Sequence, residues 1–329
     1  MLFCRTNFYH APNSRAFILL TFLLTFLASL SLQAADKQTF KPFVLAQQST
    51  DSLDKAKTSV KEKIAQSPFS IVAEYAPYDG AHIFIISSDE LKKLASEAPF
   101  GGFAAPQRIS LTKVGASVQI AYTNPVFMQH AFRMKDIDMQ PILDQMIKSF
   151  GFEQFFGGEG LTARKLKRYK YSFGLEDFDS FYELPGYDSH AQAIAALEKG
   201  FGEKDNGITE VYRLKIPGKD QVVFGVAMSA EDSGDEALDT KKTMDIVDHL
   251  PLKRTAYLPY EIMVNGDKII AMHARFRIAV NFYDLKMFGK HGFGKLFNTP
   301  GAYNKAFTLV SGGSVNKTEV TDEGFGDID

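Results

Sequence analysis

Three potential cations, His273, Arg275 and Arg277, are spaced two residues apart in the last quarter of the chain. They alternate with apolar residues, and strict period-two alternation is typical of a strand with one face buried. The three side chains would then lie in a line on the opposite face. Guanidinium groups held in a line suit a carboxylate, phosphate or sulfate, because each can donate two parallel hydrogen bonds. The row is therefore a candidate ligand-binding site, although such rows more often pair with acids on a neighbouring strand or face water.

A second group of cations crowds one short stretch beside a run of glycines. Its members are Arg164, Lys165, Lys167, Arg168 and Lys170. Arg164 and Arg168 are further candidates for holding an anion or an acidic partner. A solvated basic surface is the commoner outcome for a cluster of this kind.

Acid-base chemistry has three candidate residues, which are His130, His249 and Asp248. The histidines form no His-x-x-x-His pair and no His-Glu-x-x-His motif. A metal site assembled from His130 and His249 with Asp245 or Asp248 stays open, but zinc needs three or four ligands in defined geometry. We therefore predict structural histidines, with no metal and no cofactor.

Motifs for nucleophilic catalysis and phosphate binding are absent from the chain, including Gly-x-Ser-x-Gly, the P-loop and Gly-x-Gly-x-x-Gly. Ser52-Leu53-Asp54-Lys55 fits Ser-x-x-Lys, yet Asp51-Ser52 is explained by helix capping. The sequence thus favours a binding module over an enzyme. An enzyme whose nucleophile stands at unrecognised positions remains the alternative.

The predicted row belongs to a β-hairpin from Leu258 to Phe282. In its first strand, Tyr260, Ile262 and Val264 alternate with Glu261 and Met263. Asn265-Gly266 then accepts the positive φ angles that a two-residue hairpin turn demands. The second strand is predicted to continue to Phe282.

The rest of the chain predicts two successive units with the same element order. In the first half, strands are expected at 40–46, 71–75 and 81–86, helices near 51–64, 89–98 and 139–150, and a hairpin at 108–124. In the second half, strands are expected at 178–184, 208–216 and 222–228, with a helix opening at 188–189, before the hairpin described above.

Two features repeat at an offset of 137 residues, namely Asp51-Ser52 with Asp188-Ser189 and Ile71 with Ile208. This spacing suggests duplication, with chance similarity as the alternative. The predicted fold class is α+β, as two tandem β-α-β4-α units with mostly antiparallel sheets and helices on one face. The opposite face of each sheet would be open to solvent, a partner or a ligand. The predicted divisions are 1–34 signal peptide, 37–152 first α+β unit, 153–174 linker and basic segment, 175–310 second α+β unit, and 311–329 acidic, disordered tail.

The N-terminal segment has the pattern of a secretory signal peptide. Arg5 and Arg15 precede an uncharged run, and Leu32-Gln33-Ala34 offers small-residue cleavage. An uncleaved membrane anchor is the alternative, because the run approaches the roughly 20 residues that span a bilayer. Cys4, the only cysteine, would leave with the signal. We expect a periplasmic protein with no stable membrane insertion after signal removal.

Charge gives no argument for a nucleic-acid partner. The chain has 37 basic and 39 acidic residues, and removal of 1–34 takes away two arginines and no acids, leaving a formal charge of −4. Such a mildly acidic protein lacks the basic surplus of nucleic-acid binders.

Several short motifs resemble exported members of the bacterial family called domain of unknown function 302. They are Phe156-Gly157-Gly158-Glu159-Gly160-Leu161-Thr162, Tyr122-Thr123-Asn124-Pro125 and Leu258-Pro259-Tyr260-Glu261-Ile262. The resemblance implies a β-α-β4-α unit similar to the halves of the TATA-box-binding protein. It implies a shape and no reaction, and likeness to a DNA-binding fold does not transfer DNA binding.

Together these observations predict an exported, non-catalytic binding or accessory module for a small anion or a protein partner. Two alternatives stay open. One is a periplasmic hydrolase or lyase that uses histidine with aspartate, and the other is a structural homodimer.

Overall fold

The protein has an α+β fold built on antiparallel sheets. The computed structural model describes residues 38–172 and 174–315, and those from Thr39 onward belong to one compact unit. The predicted signal peptide and residues 316–329 of the predicted tail lie outside the described residues. None of the helices in the described part is long and apolar enough to cross a bilayer.

The first half forms a six-stranded sheet in the order β3-β4-β5-β6-β2-β7, in which all neighbours are antiparallel. Its elements and their near neighbours are β1 Thr39–Phe40, β2 Phe43–Ser49, α1 Leu53–Ala65, β3 Ser70–Tyr75, β4 Ala81–Ser87, α2 Asp89–Ser96, β5 Gln107–Val114, β6 Ser117–Thr123, α3 Pro125–Ala131, α4 Gln140–Phe150, β7 Gln154–Phe156, β8 Leu161–Thr162 and α5 Ala163–Lys167.

The second half forms a four-stranded antiparallel sheet in the order β12-β11-β10-β9. Its elements are α6 His190–Phe201, β9 Ile208–Ile216, β10 Gln221–Met228, α7 Ala230–Ser233, α8 Thr240–Val247, β11 Tyr260–Asn265, β12 Lys268–Ala271, α9 Ala274–Asn281 and α10 Thr299–Val310.

The antiparallel sheets together with the helices confirm the predicted α+β fold class. Ser52 and Ser189 both act as N-caps, each accepting a hydrogen bond from a backbone N–H three residues on. The predicted strand at 178–184 is reduced to isolated bridges, Phe181 with Met272 and Gly186 with Lys268. Phe181 pairs with Met272, the residue that follows β12. This position corresponds to that of β2 in the first half, which pairs with β6.

The predicted linker at 153–174 contains regular structure of its own. β7 extends the first sheet by pairing with β2, and β8 pairs with β1. Gly158, at φ +77°, lies so close to Tyr283 that a Cβ atom would stand 2.4 Å from the ring. The Tyr283 hydroxyl accepts a hydrogen bond from Gly160 N–H at 2.8 Å. The glycine run therefore packs closely against the second half.

The expectation of an open polar sheet face is wrong for the first sheet. Thr112 Oγ1 donates to Thr255 Oγ1 at 2.8 Å, and the Gln119 amide bonds the backbone of Pro251 and Lys253 at 2.9 Å each. These polar side chains are buried. The second half of the same chain covers this face, and these polar side chains find hydrogen-bond partners across the contact between the two halves.

The predicted hairpin is correct at its turn and wrong beyond Ala271. β11 and β12 pair around Gly266, which has φ +64°, but residues 274–281 form helix α9. Every residue from Ala274 to Val280 is buried. A helix buried on all sides has no apolar stripe at a 3.6-residue period, so the sequence pattern could not reveal it.

Candidate functional site

Glu261 is a carboxylate held between two arginines in the interior of the protein. It is the second residue of β11 and is 1% exposed. Its Oε1 atom contacts the Arg108 guanidinium of β5, and its Oε2 atom accepts from Arg277 Nε at 3.2 Å and Nη2 at 3.0 Å. The cluster thus joins the first sheet, the second sheet and α9 through charged groups.

Gly225 makes room for this arrangement in the neighbouring strand. It pairs with Glu261 on one side and with Tyr212 on the other. Because glycine has no side chain, the Tyr212 ring lies across it, and the Tyr212 hydroxyl donates to Glu261 Oε1 at 3.4 Å. A backbone position thereby helps to orient the carboxylate.

Arg277 is fixed by aromatic and backbone contacts. Its guanidinium carbon lies 4.2 Å from the ring centroids of both Tyr257 and Tyr260. Its Nη2 atom also donates to the carbonyls of Tyr257 at 2.8 Å and Pro259 at 2.7 Å. Stacking between two aromatic faces favours the charged guanidinium and fixes its plane.

Three buried donor atoms in this cluster have no hydrogen-bond partner among the described residues. They are Arg108 Nε, Arg277 Nη1 and the Tyr257 hydroxyl. All three residues line a cavity of about 20 Å³. Buried donors normally have a hydrogen-bond partner. Three unpartnered donors on residues around one cavity therefore indicate space for a ligand or a water molecule.

The charges of the cluster sum to +1 when Glu261 is ionised. Burial lowers the pKa of Arg108 to about 10, which still leaves it protonated at neutral pH. Burial raises the pKa of Tyr212 to about 12 and also raises the pKa of Tyr257, so both phenols stay neutral. The excess positive charge lies in a region with little solvent to screen it.

The predicted row of His273, Arg275 and Arg277 is wrong as a line of side chains on one face. Residues two apart on a helix point about 200° away from each other. Arg275 Nη1 instead donates to Glu176 Oε1 at 2.7 Å, while Arg277 faces Glu261. His273 caps α9, and burial lowers its pKa to about 4, so it is neutral near pH 7. Only Arg277 of the row belongs to the cavity.

The three candidates for acid-base chemistry have separate partners. The His130 ring packs on Phe40 at 4.6 Å, and the His249 ring stacks on His291 at 4.2 Å. Both Asp248 carboxylate oxygens accept from Arg254 N–H at 2.9 Å. Each of the three side chains thus contacts a different group, and these contacts do not join any two of them as an acid-base pair.

The remaining candidates lie on the surface. Arg164 and Arg168 are exposed at α5 and its C-terminus, so they offer no enclosed site. Within residues 38–172 and 174–315, no group of three or more His, Cys, Asp or Glu side chains is placed to hold a metal ion.

Sequence reasoning missed Arg108, Tyr257 and Glu261 as members of the site. The available signal was a charged residue inside an apolar strand, since Glu261 interrupts the run from Leu258 to Val264. Such a residue is almost never fully buried unless it is paired. Its partner in the first half could not be identified from the sequence.

Comparison with protein-family models, curated proteins and solved structures gave no match to this chain. The resemblance to domain of unknown function 302 therefore stays a prediction from the motifs.

Proposed function

We propose that this protein is an exported, non-catalytic module that binds a small anion in the cavity between Arg108 and Arg277. One observation carries the proposal. Two guanidinium groups and a phenol, each with an unpartnered donor atom, line one cavity, and the cluster has one positive charge more than its single carboxylate balances.

The donor set suits an anion better than a neutral ligand. Arg108 Nε and Arg277 Nη1 can only donate, and the cavity provides them with no acceptor. An anion would accept from both and would also offset the excess charge. A water molecule would satisfy the donors but leave that charge in place, so it is the competing occupant.

The size of the cavity limits the ligand to about one water-sized group. A volume of about 20 Å³ slightly exceeds the roughly 10–15 Å³ that one water needs. A monatomic halide such as chloride is the kind of anion closest to this limit, whereas phosphate and sulfate, with five heavy atoms each, exceed it clearly. The proposed ligand is therefore smaller than the oxyanions suggested by the predicted arginine row.

Export to the periplasm is part of the proposal and rests on the N-terminal sequence pattern. A protein partner would have to use another surface, because the arginines of the cavity are buried. The hydrolase or lyase alternative has no support from the contacts of His130, His249 and Asp248.

The test compares thermal stability in sodium chloride, sodium bromide and sodium acetate at equal ionic strength. A ligand that binds only the folded state stabilises it by about 2.7 kcal/mol at a hundredfold excess over Kd. We expect the halides to raise Tm above the acetate value. A bromide-soaked crystal should show anomalous density against both guanidinium groups.

Two variants separate the cavity from general salt effects. Tyr257→Phe removes one unpartnered donor with little change of volume and should weaken the halide response severalfold. Arg213→Gln removes the same charge as an arginine in the site, but it is half-exposed and pairs with Glu198 and Glu210, so it should leave the response unchanged. Equal Tm values in halide and acetate, with no bromide density, would refute the proposal.

A further inference from the structure

A closed loop near the C-terminus carries exposed aromatic and basic side chains together. We call residues 285–297 the basic aromatic loop. Phe288 is 80% exposed and Phe297 is 49% exposed. Lys286, Lys290 and Lys295 are also exposed, and the loop contains no aspartate or glutamate. It therefore combines apolar side chains with a local charge of +3.

Backbone hydrogen bonds close the loop and place Phe288 at its tip. Phe293 N–H donates to the Lys286 carbonyl at 3.0 Å, and Gly294 N–H donates to the Met287 carbonyl at 2.9 Å. The Phe293 ring is buried and lies 4.4 Å from the Tyr171 ring. The loop thus holds one phenylalanine in the protein and presents another to the outside.

Neighbouring residues reinforce this surface. His249 stacks on His291 of the loop at 4.2 Å, and Leu250, the residue after His249, is 38% exposed. The nearest preceding acid, Asp284, forms a two-contact ion pair with the buried Arg254. The acid nearest to the loop in sequence therefore already has a cationic partner outside the loop.

We propose that the basic aromatic loop docks the protein on an anionic lipid bilayer. Phe288 and Phe297 enter the headgroup region, and Lys286, Lys290 and Lys295 lie against lipid phosphates. Aromatic side chains favour the membrane interface, and each lysine near an anionic surface contributes about 1 kcal/mol, a factor of about five in Kd. A short segment that carries two exposed phenylalanines and three exposed lysines has this complementarity, whereas an apolar protein partner would not need the charges.

Surface docking of this kind needs no membrane-spanning helix. It also shares no residue with the anion cavity, which is lined by first-half residues such as Arg108 and by second-half residues between 256 and 281. Failure of one proposal therefore leaves the other standing.

The chain contains no tryptophan, so Phe288→Trp gives a single fluorescent reporter at the loop tip. We expect its emission to shift to shorter wavelength with vesicles of phosphatidylglycerol and phosphatidylethanolamine. The shift should disappear with phosphatidylcholine vesicles or at high salt, which screens surface charge. Phe152→Trp, at a 45% exposed phenylalanine outside the loop, is the matched control and should not shift.

Vesicle flotation of the full chain then separates the apolar and the electrostatic contributions. Lys286, Lys290 and Lys295 all changed to Gln should weaken binding roughly 100-fold. The exposed lysines Lys113, Lys215 and Lys219 changed to Gln remove the same charge elsewhere and should have little effect. Phe288→Ser should weaken binding without altering Tm, because this side chain contacts mainly solvent.

Three results would overturn the proposal. One is the absence of wild-type binding to anionic vesicles at low salt. Another is equal loss of binding in the loop and control lysine variants. The third is concentration-dependent dimerisation that Phe288→Ser abolishes, which would identify a second copy of the chain as the occupant.

Discussion

The ring of Tyr212 lies directly across Gly225, so a Cβ atom at that glycine would stand 1.9 Å from the ring's Cε1 atom. The same glycine pairs with Glu261 in the next strand. A missing side chain in β10 therefore lets a phenol from β9 reach a carboxylate in β11. The buried charge cluster depends on backbone spacing as well as on its own side chains.

Gly225→Ala should destabilise the protein by about 2–3 kcal/mol, because overpacking a filled interior forces side chains and backbone to move. Denaturant unfolding at constant m-value measures this change. Gly301→Ala is the control, since it lies in α10 with open space around it. That substitution should stabilise the helix by about 0.5 kcal/mol. Equal effects of the two substitutions would show that the Tyr212 ring relaxes freely.

Glu261→Gln should destabilise the protein by about 3–5 kcal/mol, because it leaves Arg108 and Arg277 buried without a counter-charge. The loss should be partly recovered by sodium chloride relative to sodium acetate, since an anion can replace the carboxylate. Unfolding experiments in the two salts at equal ionic strength measure this recovery.

The triple variant Arg108→Met, Glu261→Leu, Arg277→Met removes the whole charged cluster, whereas Glu261→Gln removes only its negative charge. Replacing a buried ionic cluster with apolar side chains of similar volume is often neutral or stabilising. We expect a folded protein whose Tm no longer depends on halide. A retained halide response in this variant would place the anion elsewhere.

Much of the fold follows from local signals in the sequence. Ser52 and Ser189 begin helices because their hydroxyls accept backbone N–H groups, and Asn265-Gly266 makes a hairpin turn because glycine adopts positive φ. These interactions join residues a few positions apart. Their structural consequences can therefore be inferred without knowledge of the tertiary packing.

The site depends on contacts that local signals do not encode. Arg108 and Glu261 lie 153 positions apart and meet only because the two halves pack together. Arg275 and Arg277 follow a strand-like alternation, yet both are buried by ion pairs on a helix without a solvent face. Tertiary burial removed the periodic signal that would have distinguished helix from strand.

The contribution of Asp248 to the free energy of unfolding should fall as pH rises from about 4 to about 6. Burial raises its pKa to about 6, so the folded state binds a proton that the unfolded state has already released. Asp248→Asn keeps an acceptor for Arg254 N–H and removes the titration. The difference in unfolding free energy, variant minus wild type, should rise by roughly 2 kcal/mol from pH 4 to pH 7. A difference that stays constant with pH would contradict the raised pKa.

The contribution of Asp177 to the free energy of unfolding should change in the opposite direction, because it falls as pH is lowered below about 4. Burial alone would raise its pKa, but hydrogen bonds from Ser180 and Arg133 lower it to about 2. The contribution is present above about pH 4 and is lost as pH falls toward 2, because the unfolded carboxyl takes up its proton first. Acid unfolding curves of wild type and Asp177→Asn should therefore diverge above pH 4 and converge near pH 2. Asp51→Asn, which changes an exposed acid outside this contact, controls for net charge and should leave the curve nearly unchanged.

Because Arg133 also bonds the Lys167 carbonyl, loss of the Asp177 contact should loosen the segment after α5. Amide hydrogen exchange at residues 168–172 measures that loosening, and unchanged protection there would show that the ion pair does not hold the segment.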